Sequence, residues 1–579
     1  MILFFEGKDY TLSLLDKVFR STHANIIAKS NTGDKRATVN CVGYYYTTEY
    51  SHIFILPKVF LINGKAFGAF EISDNEPLTL SDTVVEALKE YGWKCDVIND
   101  IPIYLYRAIE KYRKRELDTV AIDKDFRLKV SSSKQGKTEL SLMDIILSIR
   151  DFYFEHQNLF TLIYKQVHSG YNKVNWRKTI RAYNPFINDN SVIYPYVINH
   201  KKEINYDEEL LILFFNTLRY INKEYHFNIN TDHPYNTLSD KDFKRKLNNG
   251  VIKKRLDTIK NNYYNETLIQ LWQLMYVFAK KINTINKANI KEEYLLIRDF
   301  NNVFEDMIDS ILSDSDTPLS LIKQSDGKIV DHIFKGYSLS SKKEQIYYIG
   351  DSKYYKENAV PTGEALFKQY TYAKNVIQTQ INWYNSGKKH LKYRDELTEG
   401  YSITPNFFIV GNVRQDYSFN LSELRSTDTI FEKNYQFKNR IFDRDTLFLR
   451  MYEINFLSVL YAYVSRSANT RSQLRKDIKQ YIRKDFLMYL NSEYEFYILR
   501  SCKDVDIKAL VNRYFRELNG KIFSPYEIYE ENYGLLILGL ENTDQEINSE
   551  LKSVLREDFD LIQFPLGEDI GLLKKLFER

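Results

Sequence analysis

Two aspartates and a lysine in the second half of the chain have residue types and spacings that could bind a metal ion. Asp351 and Lys353 lie two residues apart at the end of the apolar run "QIYYIG", and Asp331 follows the apolar stretch "KIV". On a strand, residues two apart face the same side of the sheet, so both charges would project together. Because unpaired charges at the end of a buried strand are costly, the pattern indicates either a metal site or a surface ion pair.

The chain length between the two aspartates favours a hairpin. Nineteen residues separate them, including the polar stretch "KGYSLSSKKEQ", so two antiparallel strands would bring Asp331 and Asp351 together at one end of a sheet. Two carboxylates and the backbone carbonyl of Ser352 would form the hard oxygen site that suits Mg²⁺, for which Mn²⁺ can substitute. Lys353 could then orient the attacking water or help to deprotonate it, and stabilise charge that grows on a phosphate.

Residues 291–465 are predicted to alternate helix and strand around these side chains. The predicted order is a helix in "YLLIRDFNNVFEDMIDSIL", strands in "GKIVDHIF" and "QIYYIGDSKYY", a helix in "GEALFKQYTYAKNVIQ" and a strand in "PNFFIVGN". This order resembles the PD-(D/E)xK nuclease core, a restriction-endonuclease-like α/β/α fold. The resemblance implies that Asp331 and Asp351 hold the metal and that Lys353 assists the water. Val330 stands where a proline often precedes the first acid of that family.

The same resemblance implies further site residues on the two helices. Many such nucleases carry a helical glutamate that adds to the metal site, and Glu305 matches it, although a solvated helix glutamate explains the position equally well. Similar nucleases also place a Gln or Lys and a Tyr on the second helix, which identifies Lys368, Gln369 and Tyr372 as candidates for positioning the phosphate or the metal. A surface pair between Glu364 and Lys368, four residues apart, is the competing account.

The whole chain is predicted to be a multidomain α+β protein. At 579 residues it is too long for one core. We expect a mixed α/β region at 1–130 that could recognise DNA, a helical region at 131–290, the nuclease-like core at 291–465, and a basic helix with a small α+β module at 466–579. The run "SSSKQGKTEL" at 131–140 ends like a phosphate-binding loop, but Ser131 replaces the required first glycine, and a polar turn is predicted instead.

Several short segments outside the core carry a second resemblance. The segment "NKVNWRKTI", with Asn175, Trp176, Lys178 and Thr179, resembles McrC-like proteins and their relatives in LlaJI-type restriction systems. The segments "VGYYY", "IFILPKVF" and "FDRDTLFLRMYEINFLSVLYAY" resemble the same group, from residue 40 to about 465. The resemblance implies an N-terminal DNA-reading region, a C-terminal nuclease and a separately encoded McrB-like AAA+ NTPase as partner.

A basic stretch after the core is a candidate DNA-binding helix. Arg471, Arg475, Lys479 and Arg483 recur every four residues in "RSQLRKDIKQYIRKDF". Phosphate contacts by such residues would give binding that weakens steeply with salt. A solvated amphipathic helix between domains explains the same pattern.

Composition sets the remaining limits. No apolar run approaches the roughly 20 residues of a membrane span, no signal peptide is evident, and three widely spaced cysteines fit a cytoplasmic protein. The sequence therefore predicts a Mg²⁺-dependent DNA endonuclease, the cutting subunit of a bacterial restriction or anti-phage defence system. A homodimer on double-stranded DNA is expected, because a double-strand cut needs two centres. The alternative is a DNA-recognition or assembly subunit that does not cut; action on RNA or as an exonuclease also stays open.

Overall fold

The structure is a computed structural model of the chain. The residues that it describes are 1–19, 26–28, 35–47, 49–115, 140–162, 164–166, 174–189, 191–199, 202–204, 208–225, 227, 229, 231, 233, 235–288, 292–314, 316–323, 327, 329–342, 345–356, 359–387, 393–413, 417–419, 424–427, 438–502, 506–525 and 535–568. The polar turn predicted at 131–140 lies outside them, except for its last residue. None of the described helices is both long enough and apolar enough to cross a membrane.

The N-terminal region mixes strands and helices, and its described strands belong to three sheets. Its described strands are β1 (Ile2–Phe5), β2 (Asp9–Thr11), β3 (Ile27–Ala28), β4 (Arg36–Val39), β5 (Val42–Thr47), β6 (Ser51–Leu56), β7 (Leu61–Ile62), β8 (Lys65–Ala66) and β9 (Leu78–Thr79). Its helices are α1 (Leu12–Phe19), α2 (Asp82–Glu90) and α3 (Cys95–Arg115), with a 3-10 turn at Lys58–Phe60. Every residue of β5 is buried, which explains its unbroken apolar sequence, because a strand covered on both faces has no polar side.

One predicted helix begins later than expected. The first half of "YLLIRDFNNVFEDMIDSIL" forms β14 (Glu292–Ile297), which pairs antiparallel with β5 in the N-terminal sheet of order β14-β5-β6-β1-β9. The helix itself, α11, spans Phe300–Leu312. A short apolar run such as "YLLI" fits a buried strand and a buried helix alike, and pairing with β5 decides between them.

The middle region contains the predicted long helices. They are α4 (Leu142–Glu155), α5 (Leu159–Leu162), α6 (Trp176–Ala182), α7 (Glu209–Tyr225), α8 (Asp240–Asn248), α9 (Val251–Ile259) and α10 (Glu266–Ala288), with a 3-10 turn at Lys260–Asn262. Two strand pairs were not predicted, β10 (Tyr164–Gln166) with β13 (Lys202–Ile204), and β11 (Phe186–Asn188) with β12 (Ser191–Ile193). The second pair is a hairpin whose residues are all exposed.

The central sheet positions the candidate site. Its described strands lie in the order β15 (His332–Tyr337), β16 (Gln345–Lys353), β17 (Pro405–Asn412), β19 (Phe448–Asn455) and β18 (Leu424–Ser426). Strands β16, β17 and β19 run parallel, whereas the two edge strands are antiparallel to their neighbours. The other helices of this region are α12 (Leu319–Ile322), α13 (Gly363–Asn385) and α14 (Phe456–Val464).

Helices cover both faces of the central sheet. Gln369 of α13 hydrogen-bonds Asn406, on the face that also carries Asp351. Phe304 of α11 and Phe456 of α14 lie against Gly411, whose absent side chain leaves room for them on the opposite face. Parallel strands buried on both faces are typical of such layered α/β arrangements.

The C-terminal region contains a long helix followed by a small module of strands and helices. It consists of α15 (Ala468–Glu493), β20 (Tyr494–Ser501), α16 (Ile507–Arg513), α17 (Phe515–Leu518), β21 (Ile522–Phe523), β22 (Leu535–Glu541), α18 (Gln545–Leu555) and β23 (Phe559–Gln563). Its strands form an antiparallel sheet of order β21-β22-β20-β23. The described chain is thus a multidomain protein that mixes helices and sheets, as the fold class predicted.

Candidate active site

The two aspartates meet at one end of the β15–β16 hairpin. His332 pairs with Gly350 in an antiparallel register, so Asp331 and Asp351 are the next residues outward on the two strands and face each other. The predicted antiparallel pairing is therefore confirmed. Asp331 precedes its strand instead of ending one, because Ile329 bridges to Lys323 and Val330 hydrogen-bonds Ile322, which holds the preceding segment away from the sheet.

Asp351 is buried and Asp331 is half-buried, and Lys353 is the one cation among the described residues that pairs with either of them. Burial raises the pKa of Asp331 well above its usual range, and a hydrogen bond with Asp351, together with that residue's charge, raises it further. Lys353 forms an ion pair with Asp351. Apart from Lys353 and a protonated Asp331, no donor among the described residues hydrogen-bonds either oxygen of Asp351, which is 1% exposed. A buried carboxylate in this condition favours either a proton on its neighbour or a bound cation.

Glu305 of α11 is a third acid beside this pair. Burial raises its pKa, the charge of Lys353 lowers it and that of Asp351 raises it again, so the side chain lies within electrostatic reach of both. Within the described ranges, no three His, Cys, Asp or Glu side chains already converge as a ready-made metal cage. The oxygen donors present fit Mg²⁺ better than a thiolate- or imidazole-preferring metal, since Mg²⁺ is usually held by one or two carboxylates and keeps several waters.

The predicted residues of α13 have different environments. Gln369 is buried and donates to the side-chain oxygen of Asn406 at 2.7 Å and to the carbonyl of Ile349 at 3.4 Å, which ties α13 to β16 and β17. Lys368 is exposed at the rim. Burial disfavours its charge, but a hydrogen bond with Tyr372 and the charges of Asp331 and Asp351 outweigh that effect and raise its pKa.

Ser352 lies between the two charged residues of β16. Its side chain is buried, and its hydroxyl has no hydrogen-bond partner among the described residues. The metal-ligand role of its carbonyl oxygen stays a prediction.

Three of the four basic residues predicted to bind DNA face the protein. Arg475 donates to the carbonyls of Ile311 and Ser313, at the C-terminal end of α11, at 2.5 and 2.7 Å. Lys479 pairs with Asp314 at 2.9 Å, and Arg483 donates to the carbonyl of Ser338 at 3.0 and 3.2 Å. These contacts fix α15 against the core. The DNA contacts of these residues stay a prediction.

A groove of about 920 Å³ extends from the acids. Asp331 and Glu305 line one part of it, and Lys111, Arg115 and Arg471 line another. Sequence reasoning missed Lys111 and Arg115. They lie in "IEKYRKR" at the end of α3, where a helix C-terminus rich in basic residues is the ordinary expectation.

Sequence reasoning also missed a buried contact between the N-terminal region and the end of β16, the strand that carries Asp351 and Lys353. Tyr354, directly after Lys353, donates a hydrogen bond to the carboxylate of Glu6, and its hydroxyl accepts the backbone N–H of Lys58 at 2.9 Å. Burial raises the pKa of Glu6. No local pattern could link positions 348 residues apart.

Comparisons with known proteins add little. No family model and no curated protein matches the chain. A refined half-complex from a tetradecameric assembly of Thermococcus gammatolerans McrB AAA+ hexamers with bound McrC is similar at 11% identity, over 83% of this chain and 99% of that chain, with a TM-score of 0.29. A cryo-EM structure of the McrBC complex of the same organism is 13% identical over 52% of this chain and 84% of that chain, with a TM-score of 0.17. At these TM-scores neither a shared fold nor a shared function follows.

Proposed function

We propose that this chain is a metal-dependent nuclease that hydrolyses DNA phosphodiester bonds at Asp331, Asp351 and Lys353. The observation that carries the proposal is the facing pair of carboxyl groups at the hairpin end, Asp351 buried and Asp331 half-buried, with a lysine on the same strand face as Asp351. Keeping two acids together away from water costs stability. A structural role does not explain that cost, whereas a cation held between the acids does.

Each side chain then has a definable task. Asp331 and Asp351 would hold Mg²⁺, or Mn²⁺ in its place, and the cation would supply the positive charge that stabilises the phosphate as negative charge builds on it. Asp331 must lose its proton before it can bind the ion. Lys353 is placed to orient the attacking water and to donate to a phosphate oxygen. Glu305 is close enough to accept from a water of the metal, and Lys368 at the rim would hold the substrate phosphate.

The whole protein is proposed to be the cutting subunit of a restriction or anti-phage system that works with an AAA+ NTPase. The support is the resemblance of "NKVNWRKTI" to McrC-like proteins together with the exposure of that region. Trp176 on α6 and Ile187 and Val192 on the β11–β12 hairpin are exposed, Ile187 by 77%. Large exposed apolar side chains next to one another mark a protein-binding surface. NTPase stimulation by the wild type, lost with Ile187→Asp and kept with the exposed control Ile547→Asp, would support this partner.

The second candidate function is DNA recognition without cutting. The inward-facing basic residues of α15 and the exposed hairpin would suit an assembly subunit as well. The buried acid pair opposes it, because replacement of either acid by asparagine would remove the repulsion at no cost to a scaffold.

The deciding experiment is cleavage of linear, circular and RNA substrates with Mg²⁺ by wild type and Asp351→Asn, with and without the product of the adjacent gene. Asp560→Asn, an exposed strand aspartate of the C-terminal module, is the matched control. We expect DNA cleavage by wild type and the control only. Binding without cleavage by every protein would favour the recognition subunit, and full cleavage by Asp351→Asn would disprove the proposed centre.

A further inference from the structure

The groove that begins at the acids has a basic end that comes from distant parts of the chain. Arg115 ends α3 and Lys111 lies one turn before it, and Arg471 lies on the first turn of α15. All three line the groove that also contains Glu305 and Asp331. The groove therefore joins a strongly acidic end to a strongly basic one.

The three cations are close to one another. Burial lowers the pKa of Lys111, and the positive charges of Arg471 and Arg115 lower it further. Like charges repel, so this arrangement costs energy unless an anion is nearby. Lys111 itself is held in place, because it donates to the carbonyl of Tyr463 at 2.5 Å and lies over that ring at 4.1 Å.

The acids of the chain neutralise this cluster only in part. Asp306 forms an ion pair with Arg115 at 3.0 Å and accepts a hydrogen bond from Tyr463. Asp309, one turn further along α11, instead lies beside His332 and Ser313. Asp306 and, at longer range, Asp309 therefore both act on Arg115, whereas Lys111 and Arg471 have no carboxylate ion-pair partner among the described residues.

A purely structural role accounts for Arg115 but not for Arg471. Arg115 joins α3 to α11 through Asp306, which is an ordinary interdomain ion pair. Arg471 is half-buried in the groove wall, and its side chain makes no hydrogen bond or ion pair with the described residues. Arg475, one turn later, instead donates to two backbone carbonyls and lies 3.7 Å from Asp314. A guanidinium that has no partner among the described residues and lies beside two other cations is suited to a phosphate.

We propose that Lys111, Arg115 and Arg471 form a subsite for a backbone phosphate of the DNA strand that is cut. The proposal rests on the proposed nuclease function and adds the path of the substrate. Glu305 and Asp306 are consecutive on α11, about 3.8 Å apart at their Cα atoms, and the first faces the acids while the second faces the cations. The subsite therefore shares its groove with the acids and would hold a backbone phosphate to one side of the scissile bond.

Binding is the direct test, and chelation of the metal keeps cleavage out of it. The affinity of a labelled DNA duplex for wild type, Arg471→Gln and Lys476→Gln is measured by fluorescence anisotropy in EDTA over a series of salt concentrations. Lys476 is exposed on the same helix but lies outside the groove, so it is the matched control. One lost phosphate contact lowers the slope of log affinity against log salt by about 0.9, or about eightfold in affinity at 0.1 M salt.

We expect Arg471→Gln to lose this affinity and slope to the same extent on duplexes of unrelated sequence, and Lys476→Gln to change little. An affinity and slope for Arg471→Gln equal to wild type would overturn the subsite. Displacement of DNA by ATP, with ATP binding lost in Arg471→Gln and DNA binding kept, would assign the cluster to a free nucleotide instead. Cleavage by Asp351→Asn would disprove the nuclease proposal independently of this binding test, so the failure of one proposal is distinguishable from the failure of the other.

Discussion

Replacement of Asp331 by asparagine should make the protein more stable without metal, and this is the sharpest physical consequence of the site. The variant removes one of two buried, facing carboxyl groups and leaves the Asp351–Lys353 ion pair intact. The new amide can donate to Asp351, whose oxygens have no other donor among the described residues. Two unit charges about 4 Å apart repel by about 4 kcal/mol at an effective dielectric constant of 20. The raised pKa of Asp331 means that the metal-free wild type avoids part of this repulsion by keeping a proton on Asp331, which itself costs folding free energy at pH 8. Since Lys353 also offsets part of the repulsion, we expect the free energy of unfolding to rise by about 1–3 kcal/mol at pH 8.

The sign of the pH dependence follows from the raised pKa of Asp331. The folded state binds the proton more tightly than the unfolded state, so this group destabilises the wild type increasingly as the pH rises above the unfolded pKa and towards the folded one. Below the unfolded pKa the penalty is absent. The advantage of Asp331→Asn should therefore be small near pH 4 and largest near pH 8.

Calorimetry in EDTA at these two pH values, following the transition that contains the central sheet, measures the difference. Addition of Mg²⁺ should then stabilise the wild type, by about 2.7 kcal/mol at a hundred times the dissociation constant, and leave Asp331→Asn unchanged. Asp560→Asn should behave as wild type throughout. A variant that is less stable than wild type at pH 8 in EDTA would refute the reasoning, because it would mean that the carboxyl pair stabilises the fold.

Two further substitutions test other parts of the site. Glu305→Gln should raise the Mg²⁺ concentration for half-maximal cleavage by about 10-fold or more, since it removes a carboxylate beside Asp331 and Asp351. An unchanged Mg²⁺ titration would show that Glu305 is a solvated helix residue. Arg483→Gln should lower the free energy of unfolding by about 1–3 kcal/mol, because the buried carbonyl of Ser338 loses its donor. The salt dependence of DNA binding should stay unchanged in this variant. A smaller salt dependence would show that Arg483 contacts DNA.

The hairpin of the candidate site was predictable because its signals are local. An acid at each end of a chain segment of suitable length, with a lysine two residues after the second acid, requires only strand periodicity to bring them together. The side chains that fall on one face of β16 follow from that periodicity alone. The residues that pack against that face do not follow from the periodicity of β16. Gln369 is an example, because its amide hydrogen-bonds Asn406, 37 positions away, and so joins α13 to β17.

The basic helix shows where periodicity stops being informative. Arg471, Arg475, Lys479 and Arg483 recur every four residues and so share a face of α15, but the pattern is the same whether that face meets DNA or the protein. The contacts at the end of α11 show that this face meets the protein, because the carbonyls of Ile311 and Ser313 need donors and Arg475 supplies them. Arg471 extends past that end into the groove, beside residues more than 350 positions earlier.

The central claim is that Asp331, Asp351 and Lys353 cut DNA with a divalent metal, and Lys353→Ala tests it most directly. Lys353 is the ion-pair partner of Asp351 and lies 5.9 Å from the centre of the Phe408 ring, so calorimetry must first show that the variant folds; its loss leaves both candidate metal-binding acids in place. We predict that Lys353→Ala binds duplex DNA and Mg²⁺ as wild type does but cleaves at least 10²-fold more slowly, the order of effect for one charged donor in the transition state. Cleavage at the wild-type rate by this variant would contradict the account.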